Sequence, residues 1–179
     1  MKRGTLFATI LSTLITCSLT ITSIDAIGSD KEMVIGRIIR INGTVKKANE
    51  ISRSESTVKS GDRIYQHDHL LTDENGFVKI IMKDDTIFQI GGNSHFVFKK
   101  FKFKTKKNRK ATYELIYGKL RSLFTVKASN NKDLEIKTPT VSMGIRGTEF
   151  LTDVYATSKK LLKKGKTETD IALLSGNLA

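Results

Sequence analysis

The chain has 179 residues, of which 31 are Lys or Arg and 18 are Asp or Glu, so its net charge at pH 7 is +13. A hydrophobic content of 39% can form a packed core, which excludes a disordered polar chain. With 13 Gly and one Pro the composition also excludes a collagen-like chain, and the length fits one domain of ordinary size.

The N-terminus has the pattern of a secretory signal. Met1-Lys2-Arg3 supplies positive charge, and no charged residue follows until Asp25. We therefore predict a signal peptide over residues 1–26, with cleavage after Ala26 favoured over retention as an anchor. Leu14-Ile15-Thr16-Cys17 has the outline of a lipoprotein box, so lipidation of Cys17 is an alternative to its being a small apolar residue of the signal. The expected location is the periplasm or cell envelope.

Short apolar runs broken by Gly, Asn or Asp follow from Val34 onward and predict about a dozen short strands. Asn42-Gly43 accepts positive φ and predicts a tight hairpin between the first two strands. The clearest hairpin surrounds Asp84-Asp85, because both of its arms are β-branched or aromatic. The predicted strands are Val34–Ile41, Thr44–Lys47, Arg63–Tyr65, His69–Thr72, Phe77–Lys83, Thr86–Ile90, His95–Lys104, Thr112–Tyr117, Leu120–Val126, Asp133–Lys137, Thr148–Tyr155 and Thr169–Leu174.

The strand spacing predicts an all-β fold, either a sandwich of jelly-roll type or a small barrel, as a single domain over residues 27–179. No helical periodicity of comparable strength is present. One strand is unusual, because eight positive charges lie within twelve residues and alternate with phenylalanines.

Phe96 and Phe98 differ in phase by one residue from Phe101 and Phe103, which predicts a bulge at Lys99-Lys100 that keeps all four rings on the core face. The basic side chains then form an outer stripe. Either they protect an edge strand from aggregation, or they bind anionic lipid head groups or wall polymer; no nucleic-acid motif accompanies them. The anion-binding candidates are Lys99, Lys100, Lys102, Lys104, Lys106, Lys107, Arg109 and Lys110.

Catalytic signatures are sparse. His67-Asp68-His69 would place two imidazoles on one face of an extended segment, where His95 or Asp62 could complete a metal site. The acidic pairs, such as Asp84-Asp85, lie at predicted turns, and no P-loop, nucleophile elbow or zinc-protease motif is present. We predict a non-enzymatic protein with no cofactor and no metal, with a periplasmic metal-dependent hydrolase as the alternative.

Three segments of the chain combine glycines, turn residues and short apolar runs. The first runs from Gly36-Arg37-Ile38 through Asn42-Gly43-Thr44-Val45. The second runs from Gly61-Asp62-Arg63-Ile64 through Asp68-His69-Leu70-Leu71-Thr72 and Gly76 to Gly92-Asn93-Ser94. The third runs from Thr138-Pro139-Thr140-Val141 to Ile145-Arg146-Gly147-Thr148-Glu149-Phe150. Together they resemble the FecR domain family, named for the ferric citrate transport regulator, and the resemblance covers Gly36 to Ala179.

The third segment is the most specific, and its structural signature consists of Pro139, Arg146, Gly147, Thr148 and Phe150. Gly144 and Gly147 allow conformations closed to other residues. Arg146, held between them, would tie a sharp strand crossing together through carboxylate or carbonyl contacts, or would contact a ligand.

The resemblance implies an exported domain that binds or senses an envelope component or a protein partner, in a signalling or scaffold role. Full regulators of the family also carry a cytoplasmic domain that controls a sigma factor and one membrane helix. Neither is expected here, because the basic residues of the signal begin at Lys2. A structural subunit of an envelope assembly, joined through β-edges, is a further alternative.

Overall fold

The computed structural model describes residues 33–130, 133–156 and 166–176, and its regular elements are all strands. The all-β prediction is therefore confirmed. The thirteen strands are β1 (Gly36–Asn42), β2 (Val45–Asn49), β3 (Glu55–Thr57), β4 (Arg63–Ile64), β5 (Asp68–Thr72), β6 (Phe77–Met82), β7 (Ile87–Ile90), β8 (His95–Phe103), β9 (Arg109–Leu123), β10 (Leu134–Lys137), β11 (Ser142–Gly144), β12 (Glu149–Tyr155) and β13 (Glu168–Ser175).

The predicted signal peptide, with Cys17 and Ala26, lies outside the described residues. Within the described ranges, no helix is long and apolar enough to cross a membrane.

The strands form two sheets that share β9. The first sheet has the order β3-β2-β5-β8-β9-β10-β11, and the second has the order β4-β1-β6-β7-β9-β12-β13. Every pairing is antiparallel except β9 with β10, which is parallel. The N-terminal half of β9 thus lies in the middle of the first sheet, and its C-terminal half lies in the middle of the second.

The chain passes from the first sheet to the second at Gly118, next to the hydroxyl side chains of Ser94 and Thr72. Gly118, within β9, has φ of 96°, and a Cβ there would overlap the buried Ser94. The Ser94 hydroxyl accepts a hydrogen bond from the Lys119 amide at 2.9 Å, and the Ser94 amide donates to the Thr72 hydroxyl at 2.9 Å. The close approach of three chain segments therefore requires a residue without a side chain at 118.

The predicted hairpin at Asn42-Gly43 is wrong. Gly43 does have a positive φ of 64°, but β1 pairs with β6 and β4, whereas β2 pairs with β5 and β3. The turn instead carries the chain from the second sheet to the first. It is fixed there by the Thr44 amide, which donates to the Asp73 carboxylate at 3.1 Å.

The core lies between the two sheets and is rich in aromatic rings. Phe88 of β7 packs 5.1 Å from Phe96 of β8 and 4.7 Å from Tyr113 of β9, measured between ring centroids. All three side chains are fully buried. Such ring pairs stabilise beyond the area that they bury, so this cluster joins the sheets face to face.

The predicted hairpin around Asp84-Asp85 is confirmed as β6 and β7, with Asp85 at a positive φ of 65°. The predicted strands Thr112–Tyr117 and Leu120–Val126 are one strand, β9, because Gly118 lets it change sheets without ending. Two short strands, β3 and β11, have no counterpart in the sequence prediction, since neither has an alternating apolar pattern.

Candidate functional site

The basic stripe predicted from the sequence lies on the hairpin formed by β8 and β9. The pairing register shifts between Phe98 and Lys100, which confirms the predicted bulge. Phe96, Phe98 and Phe101 are buried. Phe103 is half-buried and lies parallel to Phe101 at 6.1 Å, so the rings hold one face of the hairpin on the core.

Exposed lysines occupy the opposite face. Lys100 and Lys102 alternate with the buried rings along β8, and Lys104 continues the row just beyond the strand. Lys110 of β9 stands directly across from Lys102. We call Lys100, Lys102, Lys104 and Lys110 the lysine face. Like charges directly opposite each other destabilise a strand pair, so the arrangement has an electrostatic cost that an anion would relieve.

Some basic residues of the hairpin have acidic partners. Lys99 lies 3.5 Å from Glu50 and 3.8 Å from Glu114, and Lys106 pairs with Asp85. Lys110 lies 3.2 Å from Asp133 but stays 63% exposed. Four exposed lysines make no ion pair with any described residue, namely Lys100, Lys102, Lys104 and Lys107.

The prediction that Arg109 belongs to the outer stripe is wrong. Its side chain is fully buried and forms an ion pair with Asp84, which is also fully buried. The guanidinium donates further hydrogen bonds to the carbonyl of Lys106 and, at 2.7 Å, to the carbonyl of Val126. Arg109 therefore fixes the base of the β8–β9 loop from inside the protein and is inaccessible to a surface ligand.

The buried carboxylate of Asp84 is also held by the Thr86 amide at 3.1 Å and the Thr86 hydroxyl at 3.0 Å. Burial and then the nearby charge of Asp84 raise the pKa of Tyr113 well above its ordinary value. These groups form a structural polar cluster beneath the loop that carries Lys104, Lys106 and Lys107.

The signature segment is partly buried and partly exposed. Thr148 and Phe150 are buried, and Phe150 stacks on Phe124 at 6.3 Å. Gly147 has φ of 68°, and a Cβ there would lie 2.5 Å from Cγ of Lys127, so the position requires glycine.

Arg146 and Pro139 are both exposed. Within the part of the chain that the structure describes, the Arg146 side chain makes no hydrogen bond or ion pair, so its role as a tie at a strand crossing stays a prediction.

The histidines are arranged differently from the predicted metal group. Nδ1 of His69 lies 2.9 Å from Nε2 of His95, and Nε2 of His69 lies 2.9 Å from Oε1 of Glu50. His67 instead contacts Gln66, and Asp62 accepts the Lys59 amide in a turn. Residues 33–130, 133–156 and 166–176 contain no group of three or more side chains suited to hold a metal ion.

His95 was one of the two residues expected to approach His69, but Glu50 was missed in the sequence, because only the β2–β5–β8 pairing brings these three residues together. Burial, followed by the nearby charges of His69 and Lys99, lowers the pKa of His95. The charge of Lys99 lowers the pKa of Glu50. The cluster thus adjoins the lysine face through Lys99.

A groove of about 520 Å³ lies on the second sheet. Residues of β6, β7, β9, β12 and β13 line it, with Leu151 and Ile171 among its apolar residues. On β13, which forms the edge of this sheet, Leu173 and Leu174 are each 49% exposed. Sequence periodicity did not reveal this patch, because β13 is exposed on both faces.

The family described as FecR protein matches residues 68–179 of the chain, a range that includes the lysine face and the signature segment. No curated protein matches the chain. A solved structure titled "Cell surface anchoring domain" shares 35% identity over a match that covers 35% of this chain and 82% of that chain, with a TM-score of 0.34.

Proposed function

The chain belongs to the FecR family, and from this premise we propose that it is an exported, non-enzymatic protein of the cell envelope that binds an anionic envelope component in a signalling or scaffold role. The lysine face is the observation that carries the proposal. The N-terminal signal pattern supports export to the periplasm or cell envelope.

The charge pattern of the lysine face favours a ligand over simple edge protection. Edge strands are protected by charged side chains, lysine above all, which repel a second strand. Lysines on β8 alone would serve that purpose, since β5 pairs with β8 only from His95 to Val97, yet β9 also places Lys110 opposite Lys102. An anion that bridges both ammonium groups would convert this repulsion into attraction.

Two buried acidic residues, Asp68 and Asp84, support a non-enzymatic role. Asp68 accepts hydrogen bonds from Asn49 at 2.7 Å and from the Tyr65 amide at 2.8 Å, and Asp84 is committed to Arg109. Carboxylates occupied in this way stabilise turns and the interior rather than acting as a general acid or base.

A protein partner is a second candidate, carried by the edge of the second sheet. Among the described residues, β13 pairs with β12 alone, and its exposed Leu173 and Leu174 could pack against an added strand. A structural subunit joined through this edge would form oligomers in sedimentation experiments. A strict monomer at high concentration would count against that role.

The proposal is tested by capture from solubilised envelope at low and high salt, with protein, lipid and glycan all analysed. The test variant replaces by Gln the four lysines that make no ion pair with a described residue: Lys100, Lys102, Lys104 and Lys107. A control variant removes the same charge elsewhere on the surface: Lys46, Lys59, Lys119 and Lys137.

We expect an anionic component that is captured at low salt and lost at high salt, because exposed charges are screened within about 10 Å at 0.1 M salt. The test variant should lose it and the control variant should retain it. Equal loss in both variants would assign the capture to net charge and remove the lysine face from the function.

A further inference from the structure

We propose that the lysine face binds a linear phosphodiester polymer rather than a flat anionic surface or a single anion. This inference rests on the proposed function, because it names the ligand class of the same surface. Lys100, Lys102 and Lys104 form a row within the lysine face. The inference depends on the spacing of this row, on the acidic residues beside it and on the rigidity of the backbone that carries it.

The spacing follows from strand geometry. Lys100 and Lys102 are two residues apart on β8, and a strand rises about 3.3–3.4 Å per residue, so their Cα atoms are about 7 Å apart. Lys104 lies one residue beyond the strand, where its amide still donates to the Asn108 carbonyl at 3.1 Å, so the row spans about 14 Å between Cα atoms. Lys110 adds a second charge beside Lys102, at the middle of the row.

This spacing matches a phosphodiester chain. Six covalent bonds separate successive phosphorus atoms when a three-carbon unit links them, and bonds of about 1.5 Å give a repeat of about 7 Å near full extension. Three successive phosphates would then meet Lys100, Lys102 and Lys104 in turn. A polymer with more closely spaced charges would leave some of them between lysines.

Acidic residues bound the row on the side of β9 and at its beginning. On β9, alternate residues share one face, so Glu114 lies on the same face as Lys110. Glu50 flanks the start of the row through its contact with Lys99, and Glu114 makes the same contact. A broad anionic surface laid across the hairpin would meet these carboxylates, whereas a thin chain lying along β8 would not.

The row is held on a rigid base. The rings of Phe101 and Phe103 stack parallel on the opposite face, and the Lys83 ammonium group lies 5.3 Å from the centre of the Phe103 ring. Below the loop, Arg109 is fixed by Asp84. The ligand therefore does not have to order the backbone that presents the lysines, which reduces the entropic cost of binding.

The experiment measures the affinity of the full 179-residue chain for fluorescent abasic oligodeoxyribonucleotides, which carry phosphodiesters without bases. Probes with two, three, four and six phosphates are titrated by anisotropy at several salt concentrations. Poly-L-glutamate, inorganic phosphate and vesicles containing anionic phospholipid provide the other anions.

We expect affinity to rise steeply from two to three phosphates and little beyond four. For three contacts, the slope of log K against log salt should be about −2, from about −0.7 per contacted phosphate. Lys102→Gln should reduce affinity about fivefold and the slope by about 0.7. The exposed Lys59, replaced by Gln, serves as the charge-matched control and should change neither.

A variant that moves one charge tests the spacing itself. Lys102→Gln combined with Thr112→Lys keeps the net charge and transfers the ammonium group from β8 to β9, where Thr112 lies opposite Lys100. Binding of the three-phosphate probe should weaken about as much as in Lys102→Gln alone. Full recovery of affinity would show that charge number matters and spacing does not.

The other outcomes distinguish the polymer inference from the proposed anion-binding function. Equal or tighter binding to poly-L-glutamate or to anionic vesicles would overturn the polymer inference and leave the anion-binding function standing. If Lys102→Gln and Lys59→Gln behave alike with every anion, the lysine face itself fails, and the proposed function fails with it.

Discussion

Replacing Arg109 by methionine should lower the free energy of unfolding by about 3–5 kcal/mol, because it leaves the Asp84 carboxylate buried without its counter-charge. Both side chains are inaccessible to solvent. Methionine retains an unbranched stem of similar length, so the change removes the guanidinium with little loss of packing. Among the described residues, Asp84 would keep only the amide and hydroxyl of Thr86 as donors.

Two further contacts contribute to this magnitude. The carbonyls of Lys106 and Val126 each lose a hydrogen bond from Arg109, at about 1 kcal/mol apiece. Partial relaxation toward solvent and protonation of Asp84 offset part of the loss, which keeps the total within the range for a broken buried pair. At about 2–4 °C per kcal/mol, the melting temperature should fall by about 6–20 °C.

The assay is urea unfolding followed by circular dichroism, with the slope of free energy against urea compared between variants. Lys110→Met is the control, because the Lys110 side chain is largely exposed and its ion pair with Asp133 should contribute less than about 1 kcal/mol. Arg109→Met combined with Asp84→Leu should recover part of the loss. A cost below about 1 kcal/mol for Arg109→Met alone would refute the account of this ion pair.

Three other substitutions test separate features. Arg146→Ala should change stability by less than about 0.5 kcal/mol, since the side chain is exposed, and a loss of 2 kcal/mol or more in the urea assay would contradict this. Gly118→Ala should cost about 2–4 kcal/mol, from its positive φ and its overlap with Ser94, and a melting temperature like that of the unchanged protein would argue against the crossing described. The free energy of unfolding should fall as pH decreases below about 6.5, because the lowered pKa of His95 leaves the unfolded state binding more protons. His95→Gln should flatten this dependence, and an unchanged pH profile would exclude His95 as its source.

The sequence predicted the structure best where a local pattern of side chains determines it. The β6–β7 hairpin was predicted because both arms are β-branched or aromatic and Asp84-Asp85 lies at the turn, and both arms do bury every second residue. The bulge at Lys99 was predicted because the paired phenylalanines on either side of it are out of phase by one. In both cases the local pattern contains the information that decides the structure.

The sequence was less informative where strands or side chains far apart in the chain come into contact. Gly43 was correctly predicted to turn, but a positive φ does not say which strand pairs next, and β1 and β2 enter different sheets. Arg109 was grouped with exposed lysines by charge alone. Ala111 and Tyr113 lie on the buried face of β9. Because alternate residues of a strand share one face, Arg109 belongs to that face as well.

Sharing β9 between the sheets makes their unfolding interdependent. Without β9, β8 would separate from β10 in the first sheet and β7 from β12 in the second. Neither sheet can open through its centre while the other stays intact, so we expect them to melt as one cooperative unit. Amide protons in the middle of β9 should then exchange with solvent only through global unfolding. They would report the stability of the whole fold from a single strand.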